Sequence, residues 1–205
     1  NTWGKNAFLA SYPNPPRTAL RGSDLFRVLA AFDNTDIFLG GEKLQTLQAG
    51  QYYTGNLKGS AYLTASKPIL VAQYKKSAED AQTAGAQVSS DPLMMILPSK
   101  EQFLLSYRFI NAQATQLYSG QPPTPMFTAQ YVMVVAPVTT LSTVRLDGNV
   151  VSADSFQQIP PSKYMLATLQ VGDGMHTLEA SEPIGVYVFG YGLVNSYGYV
   201  AGMKL

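Results

Sequence analysis

Cysteine is absent from this 205-residue chain. That removes disulfides, thiolate metal sites and thiol catalysis. It leaves export open, because a chain of this length can bury a core that needs no covalent staple. Charge is scarce as well: 13% of residues are Asp, Glu, Lys or Arg, and the formal net charge is +1. That share is about half the usual one. The 14 Lys and Arg are scattered, so no basic face is marked out to neutralise phosphates, and nucleic acid is not an expected partner. Long apolar runs are missing too. Residues 131–138 form the longest and already contain Pro137, whereas a membrane-spanning helix needs about 20. Membrane insertion is therefore not expected. No charged start leads into an apolar stretch, so no signal peptide is read, and the abrupt beginning at Asn1 reads as part of something longer.

What is abundant points one way. Apolar residues make up 46% of the chain, with 17 Gly, 13 Pro and 13 Tyr. Short runs of Val, Ile, Tyr, Phe and Thr alternate with turn residues, the pattern of an all-β protein. The expected strands are 7–12, 26–32, 36–39, 51–53, 61–64 and 69–75, then 94–97, 103–110, 130–136, 143–146, 164–171, 176–180 and 185–191. Between them Gly40-Gly41, Asp147-Gly148 and Gly172-Asp173-Gly174 supply the positive φ that tight hairpins require.

The chain also repeats itself. "LTASKPILVAQY" (63–74) aligns without a gap on "LEASEPIGVYVF" (178–189). Upstream, "LQAGQYY" (47–53) matches "IPPSKYM" (159–165), setting Tyr52 against Tyr164. "TDIFLGGEKL" (35–44) matches "STVRLDGNVV" (142–151), setting Leu39 and Gly41 against Leu146 and Gly148. Three blocks in one order imply a duplication of roughly five strands, ending in Ser-x-Pro and a strong strand whose two faces are both apolar. Such a strand is expected to be covered on both sides. The expected architecture is an antiparallel β-sandwich of two repeated units, residues 1–85 and 86–205, either as separate sandwiches or as one composite domain. Two polar segments break the rhythm, 75–91 and 111–127, and loops of that length in compact domains are often functional.

Catalytic patterns are hard to find. The single histidine, His176, aligns with Ala61 of the first repeat, so the architecture does not require a histidine there, and it reads as a structural or surface residue. No nucleophile elbow, phosphate loop or His-Glu-x-x-His occurs. "DNTD" (33–36) gathers two carboxylates and an amide oxygen, as a Ca²⁺ loop would. The second repeat has Thr140, Leu141, Ser142 and Thr143 there, which favours an Asx-type turn. No catalytic residue, metal ligand or cofactor is therefore assigned. For binding, the Tyr-, Gly- and Asn-rich tail 190–202 has the composition of adaptable contact surfaces, and equally that of tyrosines packed on glycines at a sandwich corner. The candidate binding residues are Tyr118, in the irregular loop, and Tyr197 and Tyr199, in the tail.

Taken in order, "TWGK", "VLAAFDNTDIFLGG", "LTASKPILVAQY", "DPLMMILPSKEQFLLSYRF", "HTLEASEPIGVYVFGYG" and "NSYGYVAG" resemble the IgGFc-binding protein N-terminal domain family, from Thr2 to Gly202. The resemblance implies an extracellular or cell-surface β-sandwich, linked with binding or adhesion rather than catalysis. The expected partner is a protein or glycan on another cell or matrix. The alternative is a structural or assembly module whose apolar and Tyr-bearing surfaces bury against identical subunits, such as a trimer. Immunoglobulin binding does not follow for this chain. The family pattern is longer on its N-terminal side and often carries cysteines there.

Overall fold

The computed structural model describes residues 3–13, 24–76, 91–117, 119–120, 122–192 and 195–204. It is an all-β fold of two curled antiparallel sheets. The first sheet holds β1 (Gly4–Ala10), β2 (Asp24–Ala30), β3 (Thr35–Leu39), β4 (Glu42–Leu47), β5 (Tyr52–Leu57), β6 (Ser60–Lys75) and β7 (Leu93–Leu97). After β8 (Leu104–Ile110) and a small hairpin of β9 (Thr115–Gln116) and β10 (Thr124–Pro125) come β11 (Ala129–Pro137), β12 (Arg145–Leu146) and β13 (Asn149–Val150). They are followed by β14 (Phe156–Gln158), β15 (Tyr164–Val171), β16 (Met175–Gly192) and β17 (Asn195–Val200). Apart from the hairpin, these later strands make the second sheet. β7 lies beyond residue 85 yet pairs with β6, so the step between sheets falls between Leu97 and Leu104.

Each sheet is organised by one long strand. The first half of β6 pairs with β1 and β3, and its second half with β2 and β7. In the same way β16 pairs first with β8 and β12, then with β11 and β17. The sequence expects one strand on each side of each Ser-x-Pro. The backbone instead runs straight through Pro68 and Pro183, at a register irregularity between Gly4 and Asn6 in one repeat and between Glu179 and Ile184 in the other. A proline at a bulge leaves no ladder donor unused and lets the strand bend. Bending brings the two halves of the second sheet together around one core, in which Tyr107, Phe109 and Leu178 meet Val132, Val134, Val186 and Val188.

The duplication holds at the level of single residues. Leu39 pairs with Leu63 as Leu146 pairs with Leu178, and Gly4 with Ile69 as Leu104 with Ile184. The Gly40-Gly41 turn returns as Asp147-Gly148, all four residues at positive φ. One block of the sequence alignment shifts. Tyr52 faces Leu29, whereas Tyr164 faces Pro137, two positions beyond the matching place. The β11–β15 ladder is one pleat longer, which keeps every side chain on its face.

Burial differs between the repeats in one respect. Residues 184–192 of β16 are all buried, as the doubly apolar pattern predicts. In β6 the inward Ile69 and Val71 are buried, but Leu70 and Tyr74 on the outer face are only half-covered. The reason is how the sheets meet. Met133, Tyr187 and Phe189 on the outer face of the second sheet share a core with Phe8, Leu63 and Met95 of the first. Phe8 stands 4.5 Å from the ring of Tyr164, and Tyr12 lies edge-on to Phe189 at 5.3 Å. Nothing among the described residues covers the outer face of the first sheet in the same way.

Candidate functional site

The tail tyrosines belong to β17, the edge partner of the buried end of β16. Alternation along β17 turns Tyr197 and Tyr199 toward the interior of the second sheet, opposite the end of β8. There they wall a cleft of about 630 Å³ whose other side is Arg108, Ile110, Asn111 and Ala112. Ile110 is 58% exposed at its mouth. Tyr118 lies outside the described residues.

The cleft is held by polar groups that close the ends of strands. Tyr197 packs over Gly190, where a Cβ would run into its ring, and edge-on to Phe127 at 4.8 Å. Its hydroxyl donates to Oε1 of the buried Gln130 at 2.5 Å. The Gln130 amide donates in turn to the Ala112 carbonyl (3.3 Å) and to Asp173 (3.2 Å). Tyr199 donates to the Ile110 carbonyl at 2.6 Å. Both halves of the sequence reading are thus present: Tyr197 sits on a glycine and Tyr199 bonds to backbone, and the same two rings line an open surface. Burial pushes the Tyr197 hydroxyl up to about 12 and raises that of Tyr199, so both stay neutral donors.

Asn111 anchors the floor. Its N–H donates to the Gly174 carbonyl at 3.1 Å and its side-chain amide to the Gly172 carbonyl at 2.9 Å. Its Oδ1 is buried without a partner. Sequence reasoning passed over Arg108, Ile110, Asn111 and Gln130. The signal that finds them is the repeat itself: Gln130 occupies the place of buried Asp24, and Arg108 that of buried Phe8. A large exposed residue replacing a core aromatic marks a surface that is open in one repeat and closed in the other.

His176 sits apart from the cleft opening. It is 9% exposed, with Nδ1 at 2.7 Å from Asp147 Oδ2 and Nε2 at 3.0 Å from the Gly172 carbonyl. Both ring nitrogens are engaged by acceptors, which favours the protonated form of this histidine, and neither nitrogen faces the cleft as a base. The "DNTD" carboxylates are likewise engaged. Asp33 accepts from the Ala49 N–H at 2.9 Å, and Asp36 pairs with Lys43 at 2.7 Å and accepts from Thr46. That arrangement is a turn and its neighbouring hairpin. No group of three His, Asp or Glu placed to hold a metal occurs among the described residues.

A duplicated β-sandwich with an open, tyrosine-walled cleft and its histidine locked in an ion pair has the build of a binding module. The family it belongs to agrees. The model of the IgGFc binding protein family matches residues 1–190, and the chain belongs to that family. It is a family of binding domains whose members are typically secreted or extracellular. No curated protein matches the chain. Among solved structures, similarity is faint. The apo lectin of Pleurotus ostreatus aligns at 9% identity and a TM-score of 0.24, over 100% of this chain and 74% of the lectin. An anti-sigma factor domain-containing protein aligns at 10% and 0.23, over 89% and 78%. A β-D-glucuronidase of Dictyoglomus thermophilum aligns at 7% and 0.22, over 98% of this chain but 36% of the enzyme. Likenesses at this level carry no functional argument. No helix among the described residues is long and apolar enough to cross a membrane.

Proposed function

We propose that this chain is an extracellular adhesion module, the distal part of a larger surface protein or fibre, and that it grips its ligand in the Tyr197–Tyr199 cleft. One observation carries the reading: the cleft breaks the repeat. Where the first repeat fills this position with core, the second leaves two half-buried tyrosines, an exposed arginine and an exposed isoleucine. Tyrosine and arginine around an apolar centre are the residue types that dominate protein–protein binding energy. A protein surface therefore fits better than a small metabolite, with a glycan stacking on the tyrosines as the competing ligand class. Membership of a family of binding domains supports the same reading.

The test is a protein and glycan array that includes the immunoglobulin G Fc region, probed with the wild-type chain and with Ile110→Glu. The variant places a charge at an exposed strand end, so the fold should survive. Loss of the wild-type signals in the variant supports the cleft; unchanged signals would remove it from the account. A second reading, an assembly module without an outside ligand, is favoured by the half-covered outer face of the first sheet.

A further inference from the structure

The chain carries one interface inside itself and the two unmatched halves of the same interface on its surface. Internally, the outer face of the second sheet enters a recess of the first. The entering face presents Tyr131, Met133, Phe189 and Gly198. The recess lies between β7 and the end of β1, where Ala10 and the Gln73 side chain of β6 exchange hydrogen bonds at 3.1 and 2.6 Å. Tyr12 touches Phe189 there. Leu93 and Met95 come so close to Gly198 that a Cβ on it would stand 2.9 Å from Leu93. The Asp91 N–H donates to Ser196 at 2.8 Å.

Strand register locates the counterparts of each half. In the first sheet the positions of Tyr131, Met133, Phe189 and Gly198 are held by Leu25, Arg27, Tyr74 and Met94. These form the half-covered outer face. Met94 is 52% exposed and the adjoining Tyr52 58%, and the Arg27 guanidinium lies over the rings of Tyr52 (4.5 Å) and Tyr74 (5.8 Å). In the second sheet the positions of Ala10, Tyr12, Leu93 and Met95 are held by Ile110, Ala112, Tyr197 and Tyr199. These line the cleft. The exposed face of the first repeat is thus the counterpart of the face that enters, and the cleft of the second is the counterpart of the recess that receives it.

We infer that the partner fitting the cleft is a second copy of this chain, which docks its Leu25–Arg27–Tyr74 sheet face against Tyr197 and Tyr199 in head-to-tail fashion. This rests on the cleft being the binding site and names its occupant. Met94, standing where the internal interface has Gly198, meets the two tyrosine rings, a favourable sulfur–aromatic contact. The exchange of Met133 for Arg27 and of Phe8 for Arg108 makes the outer interface more polar than the inner one, as suits molecules that must also exist apart. Two different surfaces meet, so the contact is heterologous and propagates into a ring or an open fibre.

Sedimentation velocity over a range of concentrations, with the full chain, tests this. The wild type is expected to gain mass beyond the dimer as concentration rises. Met94→Glu blocks the entering face and Ile110→Glu blocks the cleft, so each variant alone should stay monomeric. Their equimolar mixture should form a dimer and nothing larger, because one productive pair of surfaces remains. Circular dichroism and melting of each variant control for folding, and Met94→Lys repeats the block with the opposite charge. A wild type that stays monomeric throughout, variants that assemble like it, or a mixture that stays monomeric would each overturn the proposal. A monomeric wild type whose array signals vanish in Ile110→Glu would refute self-assembly while leaving the cleft as a binding site; array signals unchanged in Ile110→Glu would instead refute the cleft.

Discussion

The imidazole of His176 and the carboxylate of Asp147 meet at 2.7 Å, and the far side of the ring faces the Gly172 carbonyl at 3.0 Å. Asp147 also accepts from the Thr177 N–H at 2.8 Å. One ion pair therefore ties the β12–β13 turn to the β15–β16 turn whose Gly172 and Gly174 support Asn111 beneath the cleft.

This pair predicts a pH dependence with two edges. Burial by itself would lower the His176 pKa, but the Asp147 hydrogen bond, the Gly172 carbonyl and the Asp147 charge together raise it above 6.5. Desolvation by itself would lift Asp147, and its bonds to His176 and Thr177 outweigh it and hold the carboxyl below 3.8. A raised histidine contributes stability that is full below 6.5 and is lost as pH climbs through the folded value. A depressed aspartate contributes stability that is lost as pH falls below 3.8. Wild type minus His176→Gln in melting temperature should therefore be largest between these limits and shrink toward alkaline pH. A flat difference from pH 5 to 9 would refute the assignment.

Asp24 behaves in the opposite sense from a usual carboxylate. It is 3% exposed and accepts from the Tyr12 N–H at 2.7 Å and from Gln73 at 3.4 Å. Desolvation dominates over those bonds and over Lys75, and lifts its pKa from 3.8 to about 7. Folding therefore favours the protonated form. The Asp24 contribution to stability is greatest below pH 3.8 and is lost as pH rises from there through about 7, by an upper limit of about 4 kcal/mol. Asp24→Asn keeps an acceptor for Tyr12 without the charge. Its denaturation midpoint should exceed that of the wild type at pH 8, with the advantage fading toward pH 5.

Gly190→Ala tests the packing behind the cleft. A Cβ there collides with Gln130 Oε1 and with the Tyr197 ring, the two groups joined by the Tyr197–Gln130 hydrogen bond, so one of them must shift. Overpacking of this kind costs about 1–3 kcal/mol, read as a shift in urea midpoint. Gly172→Ala, where a Cβ meets nothing within 4 Å, is the matched control and should change little.

The two sheets are expected to fold as one unit. The core around Phe8, Phe26 and Val71 is completed by Met133, Val135, Tyr187 and Phe189 from the other sheet. Residues 1–97 expressed alone should lack dispersed amide resonances and a cooperative melt. A well-dispersed spectrum of that half would show two separable domains instead.

Much of this was legible in the chain. Leu39, Leu63, Leu146 and Leu178 align in the sequence and pair in the sheets, because strand register follows the apolar pattern when one face must be buried. The Gly40-Gly41 and Asp147-Gly148 turns announce themselves through the backbone angles they alone adopt easily. The two tail tyrosines stood out by composition, and Gly190 explains why Tyr197 packs where it does.

Other features had no local signature. Gln130 and Asp24 look like ordinary polar residues at strand starts, and only the closing of sheet ends makes them buried hinges of a network. Arg108 and Ile110 read as one more strand alternation. The all-β class, the duplication and the turns were determined by the sequence itself, since they depend on periodicity and on local backbone preference. Which face of each repeat is covered was decided by tertiary structure, because burial of a sheet face depends on what docks against it from far along the chain. The two repeats share a pattern, yet one lends its outer face to the core while the other leaves its own half-covered.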